Sequence, residues 1–538
     1  MKDSFRQSMA WLHTWCGLAC GWLLCAIFLT GSLSVFRDPI TRWMEAQPLA
    51  TVAQGESLDT ARAVDHAARY LGEHAAGARF WRVQLPQHPG EAMTLTWRLG
   101  DGTRQVALSA DNGAPLTQGL ARKTEGGRHF MSFHYMLHLP VLGFWLVGGL
   151  TLGLLVALIS GVVVHRRIFL DFFTFRPGRG PRSWLDAHNA AAVMTLPFLL
   201  MIAYTGLSIF YTSYVPGPLR AVYGAEPDAY SRFQSDLSNS AQLPLSPLGP
   251  EGQTVTSQWS ELMQRAQVLL GQPARLLLID RPGAPGMSVR VLGLADTARP
   301  SQALFTPQAS VLFDGVSGAV LQVQLPEAAT LAIGERIYGV IKSLHFADFG
   351  GWSMKWLYFI SGLLGMLMMA AGTLLFTIKR RIKSQREFGA ATAGVYRVVD
   401  ALNVACVAGM GVACIAYFYA NRLLPIEMPG RALWEIRSFL LVWLAALVHA
   451  LARPSHKAWS EQLLCAALLC FGLPLLNLLT TGQHIGRYIA ADDWQRASVE
   501  GVALTFGVLL VVALRKLHRK PDSATERGRR SAKPAQVN

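Results

Sequence analysis

The 538 residues would suffice for several soluble domains, but 51% of them are hydrophobic and only 15% carry charge, and a mean hydropathy of +0.28 excludes a wholly soluble protein. The net charge of +15 at pH 7 does not point to a nucleic-acid partner, because the basic residues sit mostly between or after apolar spans, where they place loops by topology. All seven cysteines, Cys16, Cys20, Cys25, Cys406, Cys414, Cys465 and Cys470, fall inside apolar spans, so no disulfide framework is implied for the soluble parts.

Residues 1–36 hold the first span, an apolar run from Trp11 to Phe36 behind Lys2 and Arg6. The run is too long for a signal peptide and Val35-Phe36-Arg37 is no small-residue cleavage site, so it is a retained helix. Residues 37–133 are a soluble stretch. Ser57 is a good N-cap for a helix with Leu58, Ala61, Val64, Ala68 and Leu71 on one face. The strand-like runs FWRVQLP, AMTLTWRL and RQVALSA follow, the last entering a DNG turn. Residues 134–211 form a transmembrane hairpin, Phe144–Val164 and Ala190–Phe210, joined by the basic loop His165–Asn189. Each arm has the twenty or so residues that cross a bilayer at about 1.5 Å per residue.

Residues 212–344 repeat the soluble pattern, with SELMQRAQVLLG as a helix and RLLLID, MSVRVLG, SVLFD and AVLQVQL as strands. Residues 345–381 contain a fourth span, Trp356–Ile378. The region 395–515 adds four more, near Val395–Tyr419, Leu433–Leu451, Leu463–Leu479 and Val499–Leu514, and 516–538 is a basic tail. The expected fold is therefore a membrane α-helical bundle of about eight spans with two α+β modules outside it.

Basic residues set the orientation. Five arginines lie between Arg166 and Arg182, five Lys/Arg between Lys379 and Arg386, and eight between Arg515 and Lys533. By the positive-inside rule these segments are cytoplasmic, with both termini inside and both soluble stretches outside. In a bacterium with two membranes that is a multi-pass inner-membrane protein with periplasmic modules. Trp11, Trp15, Trp145, Trp352, Trp356, Trp434 and Trp459 sit near span ends, as interfacial aromatics do.

The first half is internally repeated. His13 is followed 17 and 18 residues later by Thr30-Gly31, and His188 at the same distances by Thr205-Gly206, with an aromatic at plus 23, Phe36 and Tyr211. His134 precedes Gly161 by 27 residues and His345 precedes Gly372 by 27. The duplicated unit is helix, outside module, helix.

On the stretches WLHTWCGLACGWLLCAIFLTGSL, FHYMLHLPVLGFWLVGG, HRRIFLDFFTFRPGRGPRSWLDAHN with LPFLLMIAYTGL, and LHFADFGGWSMKWLYFISGLLG, the first 380 residues resemble the PepSY-associated transmembrane family, whose members include bacterial ferric-siderophore reductases. The outside modules look like PepSY domains. The resemblance implies a b-type dihaem protein that moves electrons from inside to outside, and it says much less about residues 395–538.

Iron in an electron-transfer haem takes two axial ligands, and neutral imidazoles from facing helices supply them. His13 and His188 begin outward-going helices near the cytoplasmic face. His134, His138 and His345 precede inward-going helices near the outer face. The expected axial ligands are His13 and His188 for the inner haem b and His134 and His345 for the outer one. His138 is an alternate one turn from His134, and His165 an alternate on the inner side. A histidine at a span end is often only an interfacial polar residue, so the argument rests on the matched set. Arg166, Arg167, Arg176, Arg179 and Arg182 could pair with propionates or with an acidic electron donor, although topology explains them equally well. Arg397, Asp400 and Asn403 share one helical face in the C-terminal region and suggest a structural pair. His66, His74, His88 and His129 show no metal-ligand spacing and read as surface residues of the modules.

These residues imply reduction of an outside acceptor, with ferric siderophore iron as the acceptor that fits and an unidentified cytoplasmic or membrane donor. The competing readings are a membrane-tethered regulator that holds a peptidase or peptide without redox chemistry, and a transporter of iron or its chelate.

Overall fold

A computed structural model describes residues 2–46, 59–86, 92–100, 102–116, 122–165, 181–226, 228–237, 259–284, 286–293, 304–305, 308–325, 333–388 and 392–518. The chain forms two compact units: Met1–Ala46, Arg122–Tyr204 and Trp356–Asn538 make the first, and Gln47–Ala121 with Thr205–Lys355 make the second. Its helices, in order, are α1 (Lys2–Ser34), α2 (Arg37–Glu45), α3 (Thr60–His74), α4 (Arg128–Met136), α5 (Leu142–Val164), α6 (Pro181–Ile209), α7 (Tyr211–Tyr214), α8 (Gly217–Tyr223) and α9 (Ala229–Leu237). Then follow α10 (Trp259–Leu270), α11 (Ile333–Phe346), α12 (Gly351–Phe388), α13 (Ala393–Val404), α14 (Met410–Leu423), α15 (Arg431–Ala452), α16 (Ser455–Thr481), α17 (Ile485–Ala490) and α18 (Trp494–His518).

Eight helices among the described residues are long and apolar enough to cross a membrane. They are α1, α5, α6, α12, the α13–α14 helix over Ala393–Leu423, α15, α16 and α18, and every expected span is among them. α6 and α12 run farther than hydropathy suggested, and in α12 the extension KRRIKSQREF is polar but rich in good helix formers. Leu152, Ile159, Leu367, Leu441, Leu444 and Leu468 are exposed on these helices, as lipid-facing side chains are.

In the second unit the two expected modules are one domain. Strands β1 (Phe80–Gln84), β2 (Met93–Leu99), β3 (Gly102–Leu108), β4 (Ala274–Asp280), β5 (Ser288–Gly293), β6 (Ser310–Asp314) and β7 (Val320–Gln324) form a single antiparallel sheet ordered β3-β2-β1-β4-β5-β6-β7. The first strands of the two halves meet, with Trp81 opposite Ile279 and Val83 opposite Leu277. Each half alone would leave that edge unpaired, and pairing equivalent edges removes both. The alternation of β1, β2, β4 and β5 turns one apolar face toward α3 and α10, so Trp81, Val83, Leu95, Leu277, Val289 and Phe313 share one core with Ala67, Leu71, Leu262 and Met263. Trp81 lies 5.5 Å from Trp259 across it. The N-cap of α3 is Asp59, which accepts from the Arg62 N–H; Ser57 lies outside the described residues.

The C-terminal helices are tied to the first half by buried polar groups. Asn403, midway through the fifth span, accepts from Trp22 Nε1 at 2.8 Å and donates to Thr377 Oγ1 at 2.9 Å. Asp400 pairs with Arg381 at 3.2 Å, not with Arg397 three residues earlier on its own helix, because the longer α12 carries Arg381 to it. Arg422 donates to the Trp43 and Met44 carbonyls, and Arg122 to those of Asn421, Arg422 and Thr480. These are last-turn carbonyls of α2, α14 and α16, which lack helical partners and carry the negative end of each helix dipole. Glu435 and Glu500, both 0% exposed, balance the arginines. Glu435 accepts from Arg431 and Asn421, and Glu500 from Trp43 Nε1, Asn477 and the Ile485 N–H.

Two predictions follow from these cores. Leu277→Ala should cost about 2–5 kcal/mol, with hydrogen exchange rising in β1–β3 as much as in β4–β7; a rise confined to β4–β7 would indicate two independent modules. Arg431→Leu, which strands Glu435 without its ion-pair partner, should destabilise the first unit by about 3–5 kcal/mol, read as a lowered thermal midpoint in detergent. Arg437→Leu, on the same helix but stacked at the surface on Trp434, should change it by far less.

Candidate functional site

Four histidines lie against glycines of neighbouring helices. A Cβ on Gly161 of α5 would lie 3.0 Å from the His13 ring of α1, and a Cβ on Gly31 of α1 would lie 2.6 Å from the His134 ring of α4. On α6 and α12 the same holds for Gly372 and His188 at 3.2 Å. In the second unit, Gly206 would meet His345 at 2.9 Å. Each glycine recurs at a fixed sequence distance after a histidine, on the same helix for Gly31 and Gly206 and on the preceding helix for Gly161 and Gly372. The repeat therefore records contacts between helices.

The glycine gives the ring access to main chain. His13 Nδ1 lies 2.8 Å from the Ala157 carbonyl, His134 Nδ1 2.8 Å from that of Ile27, and His188 Nδ1 2.8 Å from that of Met368. Each acceptor is four residues before the seat glycine, so it already accepts the glycine N–H within its helix, and its second lone pair takes the imidazole. A carbonyl only accepts, so Nδ1 carries the proton and Nε2 is the basic nitrogen, as in a metal-ligating histidine. His345 Nδ1 lies 3.1 Å from Thr205 Oγ1. Burial holds His134 below the ordinary imidazole range against the opposing Ile27 bond, which keeps it neutral.

Along α1, His13 and the Gly31 seat of His134 are 18 residues apart, about 27 Å of helix rise, close to the roughly 30 Å of a hydrocarbon core. The two ends of α1 thus meet imidazoles about a membrane's thickness apart. At the N-terminal end of α1 the structure brings three histidines together. His13 lies 6.2 Å, centroid to centroid, from both His188 and His165. They line a cavity of about 440 Å³ whose walls also include Gly17, Cys20, Ala192 and Leu375, with Lys379 and Arg380 at its polar end. His165 caps the end of α5 with φ −98° and ψ 65°, and burial, then the charges of Lys379 and Arg6 beside His13, keep its pKa low.

At the other end of α1, His134 stands on α4. Leu137 and His138, which follow α4, both have positive φ, 52° and 55°, an unusual conformation for non-glycine residues that turns the chain into α5. His138 Nε2 is 2.9 Å from His129 Nδ1, so the neighbour of His134 is engaged within its own helix. His129 is not a surface residue: it is 0% exposed, because α4 lies inside the first unit, stacked on Tyr417 at 4.1 Å. His134 and His345 fall in different units, each on its own seat.

The remaining candidates take ordinary roles. His449 pairs with Glu461 at 2.7 Å across the α15–α16 turn, His484 caps α17 by accepting from the Gly486 N–H, and His74 stacks on Tyr70. His88 and the loop residues Arg166, Arg167, Arg176 and Arg179 lie outside the described residues, as does the side chain of Arg182. Sequence reasoning missed Lys379 and Arg380 as cavity residues; the length of α12 beyond its apolar stretch was the signal that brings them there.

Residues 10–380 match the family model described as the PepSY-associated TM region. The chain is also 27% identical over 365 residues, 65% of its length and 86% of the relative's, to the uncharacterized protein PA4219 of Pseudomonas aeruginosa.

If the glycines are seats, Gly161→Leu should expel the His13 ring and Gly372→Leu that of His188. Each variant should raise the reactivity of the displaced histidine toward an imidazole-acylating reagent, quantified by mass spectrometry, and leave His449 unchanged.

Proposed function

Because the chain belongs to the PepSY-associated TM region family across residues 10–380, a stretch that holds all four seated histidines, we propose that it is a dihaem b-type electron-transfer protein of the bacterial inner membrane that reduces a periplasmic acceptor, ferric siderophore iron. The observation that carries this reading is the recurrence of one arrangement, an imidazole against a glycine with Nδ1 committed, at both ends of α1. His13 and His188 would hold one haem, with His165 as alternate. His134 and His345 would hold the other. His138 is the weaker choice there, since its Nε2 is hydrogen-bonded to His129.

The donor set suits the group. His13 and His188, with ring centroids 6.2 Å apart, would hold one iron between them, and His165, at the same distance from His13, is the alternate. The cavity of about 440 Å³ falls within the roughly 300–1,000 Å³ of cofactor sites. Haem bound there supplies a one-electron ferric/ferrous couple. The protein's part is to present neutral Nε2 atoms, exclude water with an apolar wall, and place Lys379 and Arg380 where propionates would need countercharge. Basic segments after α5, α12 and α18 orient this end, with both termini, toward the cytoplasm. The second unit would then face the periplasm and offer the acceptor its docking surface. Reduction releases iron because hard oxygen donors hold the ferrous ion far less tightly.

Purified protein should contain about two haems per chain, extractable by acid acetone since no CxxCH motif is present. His13→Ala or His188→Ala should remove one, His134→Ala or His345→Ala the other. Haem-free protein from a haem-replete host would leave the regulator and transporter readings instead. In sealed vesicles, dithionite-reduced protein should be reoxidised by an impermeant ferric chelate added on the side of residues 37–133 and 212–344. His345→Ala should abolish that reoxidation while the inner haem still reduces, and undiminished ferric reduction in this variant would disprove the path.

A further inference from the structure

We infer that α14 and α15, within the C-terminal spans that the family match does not reach, form the socket that positions α4, the helix carrying His134, with His129 and Tyr417 as the positioning residues. The inference about His134 as an iron-facing residue rests on the proposed function; the socket itself does not.

The grip begins just before the helix. Arg431 Nη1 donates to the Lys123 carbonyl at 2.9 Å, Thr124 donates to Glu435, and Tyr417 Oη donates to the Gly126 carbonyl at 3.0 Å. Two consecutive C-terminal helices, α14 and α15, thus hold residues 123–126 through groups that are themselves buried. The glycines that follow are wedged from the other side: a Cβ on Gly126 would meet Thr41 and one on Gly127 would meet the Arg37 backbone. The start of α4 has no freedom to slide.

The helix then presents its buried face to the same spans. His129 stacks on Tyr417 at 4.1 Å and meets Phe439 edge-on at 4.6 Å. Phe133, one turn on, packs edge-on against Phe439 at 5.3 Å and Trp443 at 5.7 Å. His134 follows Phe133 directly, so the rotation of α4 that seats Phe133 on Phe439 also aims His134 at Gly31. The far end is fixed by the His138–His129 hydrogen bond, which joins the strained turn at Leu137-His138 back to the socket. Strain of this kind persists only where surrounding structure over-determines it. Burial of His129 places an imidazole where leucine would pack at less cost, and its Nε2 has no hydrogen-bond partner among the described residues. That cost is intelligible if His129 is there to hold His138 and with it the direction of His134.

The test uses the full-length protein with Tyr417→Ala and His129→Leu, plus Tyr417→Phe, which keeps the stacked ring and loses only the bond to Gly126. Hydrogen exchange of residues 128–136 should accelerate at least tenfold in Tyr417→Ala and His129→Leu, and less in Tyr417→Phe. The low-spin electron paramagnetic resonance signal and midpoint potential assigned to the His134 haem should shift in step, with the His13 haem unmoved. Unchanged α4 exchange in all three folded variants would overturn the socket. Accelerated exchange with both haem signals unmoved would overturn the positioning role. Accelerated exchange in protein that carries no haem in its wild-type form would support the socket and sink the proposed function. If the alanine variant fails to fold, Tyr417→Phe gives the same readouts.

Discussion

An imidazole inside an apolar bundle needs a partner for its N–H, and the nearest candidates, the carbonyls of neighbouring helices, are shielded by side chains and already bonded. Removing one Cβ solves both problems. At Gly161, Gly31 and Gly372 the ring reaches the carbonyl four residues back, whose second lone pair remains available. The rest of the membrane unit follows from this contact. The His13 ring fixes α1 on α5, and His134, on the short helix α4 before α5, meets α1 about 27 Å of helix rise away. That register sets α1 against α5 and, through Met368 and Gly372, α6 against α12.

The sequence repeat revealed this register without its meaning. Spacings of 18 and 27 were legible because both members of each pair are rare on apolar helices, yet nothing in one chain's periodicity says that Gly31 serves the histidine of another helix. The same repeat misled at the next level. Two runs of helix and strands suggest two modules, but a run does not say which edges remain open, and here the equivalent edges of β1 and β4 close on each other. The aromatic at plus 23 was off by one residue in the second copy. Phe36 bonds back to the Leu33 carbonyl and Phe210 to that of Leu207, with nearly the same φ and ψ at both turns. It is therefore Phe210, not Tyr211, that repeats Phe36.

The C-terminal half was legible as four spans and opaque as to purpose, for a physical reason. Its informative residues are Arg422, Arg431, Glu435 and Glu500, spread over three helices, and only Arg431 and Glu435 stand at a helical pair spacing. Several partners of the two arginines are backbone carbonyls, which leave no trace in side-chain patterns. Asp400 shows the same limit: a charge three residues away along a helix is the natural guess, and a longer neighbouring helix supplied Arg381 instead.

Buried ions in a membrane bundle are expensive enough that packing alone would have selected apolar residues in their place. What ions and hydrogen bonds provide, and leucines do not, is direction: Arg422 reaches the carbonyl end of α2 together with Asn477, and Thr124 donates to the Glu435 carboxylate. Apolar contacts tolerate a helix that rotates by a few degrees or slides by a residue, whereas polar groups lose their partners at once. A short helix such as α4, nine residues long and bounded by a strained turn, could not hold one rotation through propensity. The polar knot sits where that helix begins, and α4, like the other short helices of this unit, has no membrane crossing to fix its orientation.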